Sequence, residues 1–244
     1  MDFCLLTVSI GPPEIVDTLL LSYSNNIKNP YALVIDNGDP YWDGNKLKEI
    51  LSKFSWASII RMPSNIGHGQ ALDLGIRQIK NYYDYVIICD SDVVFVEHLH
   101  NNFNDIFKVF EDKKVIMASC WQDYKDKYGL IHEKEFPGIK PIERPDPSFA
   151  VLHIKRYIEC EMPSFTPILD KEHRDVGARM AEICIERGFR FHTLYNIPVI
   201  HFGHLSVLSL CEINKIDSSK IPYIDEALAS KRRFIAFRKY LLKE

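Results

Sequence analysis

The chain has 244 residues, a formal net charge of −3, and 46 % apolar residues. This length and composition are ordinary for a globular protein with one large domain or two small ones. The acidic balance argues against a general nucleic-acid-binding surface, so we expect no nucleic-acid partner. No apolar run approaches the ~20 residues that a membrane-spanning helix needs.

The cysteines and the first residues indicate a reducing compartment. Six cysteines are scattered through the chain, and none forms a Cys-x-x-Cys pair. Most lie inside apolar segments, so we expect buried free thiols rather than disulfides or a zinc site. The opening segment MDFCLLTVSI lacks the basic start and the small-residue cleavage site of a signal peptide. Together these features predict a cytoplasmic protein.

The first half of the chain alternates strand-like and helix-like segments. Short apolar runs typical of strands are CLLTVSI, YALVID, WASIIRM, DYVIICD and KVIMASC. The segments between them have helical character, with apolar residues at helical spacing in HGQALDLGIRQIKNYY and HLHNNFNDIFKVF. This alternation predicts βαβ units and therefore an α/β fold, with a mostly parallel central sheet flanked by helices.

The second half has a different rhythm. Residues 122–147 are polar and proline-rich, and the stretch is long enough to form a binding loop or a lid. SFAVLHI then predicts a strand, and RFHTLYNIPVIHFGH predicts one or two more. DVGARMAEICIERG predicts a helix that ends at Gly188. Residues 230–244 predict a basic amphipathic helix, with Phe234, Phe237, Leu241 and Leu242 near one stripe.

Polar side chains follow the predicted strands: Ser9 the first, Asp36 the second, Asp90 and Asp92 the fourth. In parallel sheets, ligands bind outside the carboxyl ends of the strands. Asp90 and Asp92 point the same way along an extended chain, and a divalent cation held by oxygen ligands would relieve their repulsion. The pair therefore indicates a metal–diphosphate site. A pair that caps the strand and bonds the next loop is the structural alternative.

The segment SNIGHGQALDLGI, residues 64–76, places two glycines at the start of a predicted helix. Glycine lets the backbone approach a ligand closely, and a helix N-terminus favours anions. The segment is therefore a candidate anion-binding element, and a plain glycine turn into a helix is the structural alternative.

In four segments the chain resembles a family-2-type glycosyltransferase of the GT-A fold. LLTVSI resembles the first strand, ALVIDNGDP the base-binding strand end, NIGHGQALDLGI the N-x-G-x-x-x-A-x-N-x-G segment, and VIICDSDVVF the D-x-D strand end. Together they cover about residues 3–95. The resemblance implies one GT-A domain over 1–244, with a nucleotide-sugar-binding half (1–120), an acceptor-side half (121–229) and the basic helix (230–244).

The resemblance also assigns the donor site. The residues that it places against the nucleotide sugar are Val8, Ser9, Asp36, Asn65, Gly67, Asp73, Asp90 and Ser91. Asp36 is the expected contact to the base, and Asp73 stands where the family usually has asparagine. Mn²⁺ or Mg²⁺ is the implied cofactor, with Asp90 and Asp92 as ligands.

A histidine completes the implied metal site. PVIHFGH resembles the late strand of the family that ends in histidine, so His201 is the expected third ligand. A structural role for His201 is about equally compatible with the pattern, and His204 is a weaker candidate ligand.

The catalytic base is expected at Asp175, within KEHRDVGARMAEICIERG. The family usually has a Glu-Asp pair that opens a helix here, and Arg174 replaces the glutamate. Asp170, Glu172 and His173 therefore stay open as alternatives. A helix N-cap role for Asp175 is equally compatible with the pattern.

The acceptor side matches more loosely. RPDPSFAVLHIKRYIE resembles the acceptor-side strand and turn, which makes Asp146 and Ser148 candidates for the acceptor pocket. Trp121 is a candidate to stack on a sugar face, and core packing explains it equally well.

The implied function is inverting, metal-dependent transfer of a sugar from a nucleoside-diphosphate sugar, a UDP-sugar being favoured. The implied acceptor is a glycan or a lipid-linked glycan in polysaccharide synthesis. The basic C-terminal helix would suit peripheral contact with the inner face of a membrane, although packing on the core is its more ordinary role.

Two other functions stay open. A nucleotidyltransferase would be expected to show a glycine-rich basic loop after the first strand, and SIGPPEIVDT has one glycine and no basic residue. A non-catalytic nucleotide-sugar-binding protein would carry the same donor residues. A Rossmann dehydrogenase is disfavoured because no G-x-G-x-x-G follows the first strand.

Overall fold

The computed structural model describes residues 2–38, 44–96, 106–119, 147–168, 176–194, 199–203, 205, 208–209, 217 and 224–243. The strands are β1 (Phe3–Ser9), β2 (Ala32–Asp36), β3 (Ala57–Arg61), β4 (Tyr85–Asp90), β5 (Val93–Phe95), β6 (Val115–Ser119), β7 (Phe149–His153), β8 (Arg190–Thr193) and β9 (Val199–His201). The helices are α1 (Pro13–Asn26), α2 (Gly44–Leu51), α3 (His68–Ile79), α4 (Ile154–Glu159), α5 (Ala178–Glu186) and α6 (Ile224–Leu242), and a 3₁₀ turn spans Val109–Glu111.

The described strands form a large central sheet and a small second one. The large sheet has the order β3-β2-β1-β4-β7-β6-β8, and its strands are parallel except for β7, which runs antiparallel to both neighbours. The small sheet pairs β5 with β9 in antiparallel fashion. The prediction of an α/β fold with a mostly parallel sheet is confirmed, while the reversal of β7 is a feature that the local pattern did not indicate.

The central strands are apolar because both faces of the sheet are covered. Alternate residues of β1 face opposite sides, so Leu5 packs in the core beneath α1 and Leu6 packs in the core beneath α3. The predicted helical stripe of Leu72, Ile76 and Ile79 is buried in this second core. This two-sided packing explains why the strands read as continuous apolar runs.

Glycines bring α3 close to its neighbours. A Cβ on Gly75 would collide with the side chain of Leu6 on β1, and a Cβ on Gly69 would lie 2.5 Å from the carbonyl oxygen of Phe165. The first residues of α3 are therefore held against both the sheet and the segment around Phe165, which places the helix N-terminus near the ends of β1 and β4.

Helix boundaries differ from the predictions in places. The helix predicted from DVGARMAEICIERG begins at Ala178 rather than at residue 175, because Gly177 is left-handed with φ 78. It ends before Gly188, as predicted, and that glycine is left-handed with φ 82. Residues 98–105 of the helix predicted in HLHNNFNDIFKVF lie outside the described residues, as does most of the 122–147 segment.

The C-terminal helix α6 is anchored to α1. Phe234 packs in a small apolar cluster with Ile15 and Phe202. Arg238 donates hydrogen bonds to Oδ2 of Asp17 at 2.6 Å, and also to the side chain of Thr18. The centre of the predicted apolar stripe therefore faces the protein, which is the ordinary role of an amphipathic helix.

Cysteines Cys4, Cys89, Cys160 and Cys184 are free and buried, as the sequence predicts, whereas Cys120 and Cys211 lie outside the described residues. Among the described residues, no helix combines the length and apolar character needed to cross a bilayer.

Candidate donor and metal site

The candidate site lies where three neighbouring strands end. Parallel pairing puts Val8 of β1 beside Asp90 of β4, and Ser9 of β1 beside Asp36 of β2. Because parallel strands end at the same edge, residues predicted from separate segments are brought together there. Val8 and Ser9 are buried at this edge, and Ser91 is buried in the turn that follows Asp90.

Two aspartates and a histidine form a cluster beyond the end of β4. Nε2 of His201 lies 3.1 Å from Oδ1 of Asp92 and 3.6 Å from Oδ2 of Asp90. One potential ligand atom from each of the three residues lies within 4.8 Å of the others. Within the described part of the chain, these three residues form the cluster whose side chains could hold a metal ion. The structure thus assembles the three residues that the sequence marked as metal ligands.

His201 reaches the aspartates through the small sheet. Val93 of β5 pairs with His201 of β9, and the N–H of Phe202 donates to the carbonyl oxygen of Asp92 at 3.1 Å. The antiparallel pairing therefore holds the imidazole over the two carboxylates.

The donor set suits a divalent cation. Asp92 is buried and Asp90 is half-buried, whereas the His201 side chain is 39 % exposed. An ion could therefore reach the cluster from solvent on the side of His201. Two carboxylate oxygens carry the negative charge that a hard divalent ion needs, and an imidazole nitrogen is compatible with Mn²⁺. Burial, then the charges of Asp90 and Asp92, raise the pKa of the adjacent Cys89 thiol well above its ordinary value. Cys89 is buried in the apolar core and is not part of the cluster.

His68 is a site residue that the sequence reasoning missed. It is the first residue of α3, and its Nε2 lies 3.7 Å from Oδ1 of Asp90. The signal available in the sequence was its position directly after Gly67, at the start of the predicted anion-binding helix.

The two carboxylate oxygens of the predicted base-binding residue Asp36 have different surroundings. The N–H of Gly38 donates to Oδ1 at 3.3 Å. Oδ2 is shielded from solvent and accepts no hydrogen bond from the described residues, and Nε of Arg61 lies 3.5 Å from it. The head of Arg61 lies against Gly44, where a Cβ would collide with the guanidinium. Oδ2 of Asp36 is a buried acceptor and Arg61 a cationic donor, and together they can bind a polar edge of a ligand. The sequence analysis did not identify Arg61.

Two asparagines shape the segment before α3. Nδ2 of Asn37 donates to Oδ1 of Asn65 at 3.0 Å, and the same Oδ1 accepts from the N–H of Gly67 at 2.8 Å. The N–H of Ile66 donates to Oδ1 of Asn37 at 3.1 Å. Gly67 has φ 89, which L side chains rarely adopt, and as a glycine it supplies no side-chain cap to α3. The network ties the end of β2 to the start of α3 and leaves a helix N-terminus that favours an anion.

Asp73 makes its hydrogen bonds to the segment 164–166. It accepts hydrogen bonds from the N–H of Phe165 at 2.9 Å and from the hydroxyls of Ser164 and Thr166. Burial raises the pKa of Asp73 above its ordinary value of 3.8, although these hydrogen bonds oppose the rise. Asp73 therefore fastens α3 to the segment 164–166, and its contact with the donor stays a prediction.

The remaining predicted residues divide between described and undescribed positions. The carbonyl oxygen of Ser148 accepts from the N–H of Asp90 at 2.9 Å, so this candidate acceptor residue borders the metal cluster. The undescribed positions are Trp121, Asp146, Asp170, Glu172, His173, Asp175 and His204.

Comparison with known proteins supports the fold. No family model matches the chain, and no curated protein does. The mannosyltransferase PcManGT from Pyrobaculum calidifontis, solved with GDP-Man and Mn²⁺, is 14 % identical with a TM-score of 0.60, over 99 % of this chain and 72 % of that one. S. aureus TarS 1–349 in complex with UDP is 9 % identical with a TM-score of 0.56, over 98 % of this chain and 73 % of that one.

A third solved structure also has a similar fold. Glucosyl-3-phosphoglycerate synthase from Mycobacterium tuberculosis, in complex with phosphoglyceric acid, is 13 % identical with a TM-score of 0.50, over 98 % of this chain and 79 % of that one. Likeness at such low identity shows the fold alone, and that fold is the GT-A fold.

Proposed function

We propose that this protein is a metal-dependent glycosyltransferase that moves a sugar from a nucleoside-diphosphate sugar to an acceptor hydroxyl. The observation that carries the proposal is the Asp90–Asp92–His201 cluster at the carboxyl edge of a GT-A sheet. Solved structures of the same fold contain GDP-Man with Mn²⁺ in one case and UDP-GlcNAc in another, which supports a nucleotide sugar as the donor.

Asp90, Asp92 and His201 would hold Mn²⁺ or Mg²⁺. Mn²⁺ is favoured because one of the three ligands is a nitrogen, whereas Mg²⁺ prefers oxygen ligands. When bound, the cation supplies positive charge that stabilises the leaving diphosphate as the glycosidic bond breaks. The N-terminus of α3, which begins after Gly67, favours the same anionic group.

Asp36 and Arg61 would bind the base. The unbonded Oδ2 of Asp36 would accept from a base N–H, and Arg61 would donate to a neighbouring carbonyl oxygen. Uracil presents an N–H flanked by carbonyl groups, so a UDP-sugar is the favoured donor. Val8, Ser9, Asn65 and Ser91 would complete the donor contacts by their positions around this edge of the sheet.

Asp175 would act as the general base that takes the acceptor proton, so that the hydroxyl attacks from the face opposite the diphosphate and inverts the anomeric centre. Support comes from the residues that follow it. The N–H of Gly177 donates to the carbonyl oxygen of Phe165 at 2.9 Å, and Phe165 is bound in turn to Asp73 on α3. The segment entering α5 is thus tied to the donor-binding helix. Asp170, Glu172 and His173 are the alternatives to be tested beside it.

The acceptor is proposed to be a glycan or lipid-linked glycan in polysaccharide synthesis, with Ser148 and Asp146 at its pocket. The buried free thiols support a cytoplasmic location. Peripheral contact with an anionic membrane is part of the proposal, through the outward side of α6 rather than through the stripe centred on Phe234. Leu228, Ile235 and Leu242 are exposed there at seven-residue intervals.

Cations accompany these exposed apolar residues. Arg232 follows Leu228 by four positions, and Lys239 follows Ile235 by four, so each cation lies beside an apolar side chain on the helix surface. Three separate apolar side chains are too few for the core of a stable protein interface, which buries about 800 Å² on each partner. An interfacial helix needs only a shallow apolar ridge with cations beside it.

The donor proposal is tested by binding and turnover together. The protein would be melted with UDP, GDP and their sugar conjugates, each with and without Mn²⁺, because a ligand of the folded state raises the melting temperature. We expect a UDP-sugar with Mn²⁺ to give the largest shift and slow release of UDP without acceptor. Binding without any release, with or without candidate acceptors, would identify a non-catalytic binding protein. No shift with any nucleotide would overturn the proposal.

The membrane contact is tested by flotation with vesicles containing anionic phosphatidylglycerol, at low and high salt. Removing residues 230–244 is unsuitable because Phe234 and Arg238 anchor the helix. Ile235→Glu should reduce binding several-fold, while Ala236→Glu, an equal charge change at the next exposed position, should reduce it much less. Equal loss in both variants, or no binding by the unaltered protein at low salt, would rule out contact through this ridge.

A further inference from the structure

The carboxylate of Asp90 lies between two imidazoles that approach its different oxygen atoms. Nε2 of His68 lies 3.7 Å from Oδ1, and Nε2 of His201 lies 3.6 Å from Oδ2. Oδ2 faces His201, whose Nε2 also lies 3.1 Å from Asp92, so the ion would be held on this side of the carboxylate. Oδ1 belongs to the side that faces α3.

We infer that His68 is a positioning residue for the metal site, which donates a hydrogen bond to Oδ1 of Asp90 and so directs Oδ2 toward the ion. This inference rests on the proposed metal site. A carboxylate that ligates a metal is commonly held by a hydrogen bond from an outer partner, and such a partner sets the ligand's orientation. The position of His68 beside Asp90 fits this role, and the sequence analysis gave His68 no role in the site.

The distance and burial fit an outer partner rather than a fourth ligand. His68 approaches the oxygen other than the one that faces His201, so it stands across the carboxylate from the cluster of ligand atoms. A shift of about 0.7 Å would bring the 3.7 Å separation to hydrogen-bonding distance. Nε2 of His68 is shielded from solvent, so water does not compete for the contact.

The local structure holds His68 in place. It begins α3 directly after Gly67, whose φ is 89 and whose N–H donates to Asn65 in the Asn37–Asn65 network. The neighbouring Gly69 packs against the carbonyl of Phe165, which leaves little room for the helix start to move. His68 therefore connects the segment proposed to bind the diphosphate with a residue proposed to bind the ion. Through this connection, binding of the diphosphate would increase the affinity for the ion, and binding of the ion the affinity for the diphosphate.

The test is Mn²⁺ binding to the full chain, measured by the electron paramagnetic resonance signal of free Mn²⁺, in variants checked for unchanged melting. His68→Ala removes the donor and should weaken Mn²⁺ binding about 10- to 100-fold. His68→Gln keeps an N–H donor and should recover most of the affinity. His192→Ala, at an exposed position of the edge strand β8, is the matched control and should bind like the unaltered protein.

Nitrogen couplings to bound Mn²⁺ separate positioning from ligation. They should persist in His68→Gln and disappear in His201→Ala. Unweakened binding in His68→Ala, equal weakening in the Ala and Gln variants, or loss of a nitrogen coupling in His68→Gln would each overturn the inference. Asp92→Asn in the same assay tests the metal site itself. If the unaltered protein binds no Mn²⁺, the metal part of the proposed function fails and the inference fails with it.

Discussion

Asp92 and His201 lie in distant parts of the chain, yet Oδ1 of the aspartate and Nε2 of the histidine are 3.1 Å apart. The contact exists because β5 and β9 pair in antiparallel fashion, with Val93 opposite His201. The proposed site for a divalent cation therefore depends on the small second sheet as well as on the central one, and disrupting either sheet should affect metal binding.

Asp92→Asn should abolish metal-dependent transfer. The amide has the same shape as the buried carboxylate but lacks its charge, so kcat/KM should fall about 100-fold or more while the melting temperature changes little. Release of UDP from a UDP-sugar, with and without added Mn²⁺, measures the effect. Retained activity in this variant, or full activity of the unaltered protein in excess EDTA, would contradict the metal mechanism.

Asp36→Ala should weaken donor binding more than it slows the chemical step. The buried Oδ2 is proposed to accept from the base in the ground state and the transition state alike, so its loss acts mainly on affinity. A hydrogen bond to a charged group contributes about 1.5–3 kcal/mol, which corresponds to roughly 10- to 150-fold in the dissociation constant of UDP by calorimetry. Arg61→Ala should have a smaller effect in the same direction, and an unchanged dissociation constant for Asp36→Ala would exclude the base contact.

Asp175→Asn should lose turnover and still bind the donor. The acceptor proton would have no carboxylate to receive it, whereas the contacts to base and diphosphate come from other residues. Turnover and donor affinity should be measured in parallel for Asp170→Asn, Glu172→Gln and His173→Gln. If one of these variants is inactive while Asp175→Asn turns over normally, the base has been assigned to the wrong residue.

Asp73→Asn should change how stability depends on pH. The pKa of Asp73 is raised by burial, so the folded protein binds this proton more tightly than the unfolded chain does. Asp73 consequently lowers the free energy of unfolding as pH rises from the unfolded value of about 3.8 through the folded pKa. Asparagine carries no such charge and can still accept from the N–H of Phe165.

Urea denaturation at pH 4 and pH 7 measures this effect. Relative to the unaltered protein, the Asn variant should have a higher free energy of unfolding at pH 7 than it has at pH 4. A shift in the opposite direction would show that the hydrogen bonds from Ser164, Phe165 and Thr166 outweigh burial.

Arg238→Met should destabilise the fold by about 2–3 kcal/mol. It would remove the hydrogen bonds that Arg238 donates to the buried Asp17 and to Thr18, leaving Lys53 at 3.7 Å as the cation near Asp17. Lys239→Met changes the same type of charge at the exposed neighbouring position and should have almost no effect. Denaturant unfolding of both variants is the measurement, and equal stabilities would show that Arg238 does not anchor α6.

Local sequence features were sufficient for much of the fold and part of the site. From the apolar runs of β1, β2 and β4, the sequence predicted strands that are covered on both faces. In such strands the residues on both faces are buried, so polar and apolar residues do not alternate. Asp36 and Asp90 were recognisable because each directly follows such a run, and Asp92 because it lies two residues beyond Asp90. Parallel strands end at one edge, which brings these positions together.

Tertiary structure decided what depends on pairing between distant segments. The antiparallel direction of β7 and the pairing of β5 with β9 are set by contacts along the whole sheet, which no local pattern encodes. His68 reaches Asp90, Arg61 reaches Asp36, and Asp73 turns toward Phe165 because helix and strand packing orient these side chains. By itself the sequence identified Asp36, Asp90, Asp92 and His201 as groups that could do the chemistry, since residue type and strand position are local, but it did not identify His68 or Arg61. Their distances and partners arose only when the sheet was assembled, because register and packing bring remote residues together.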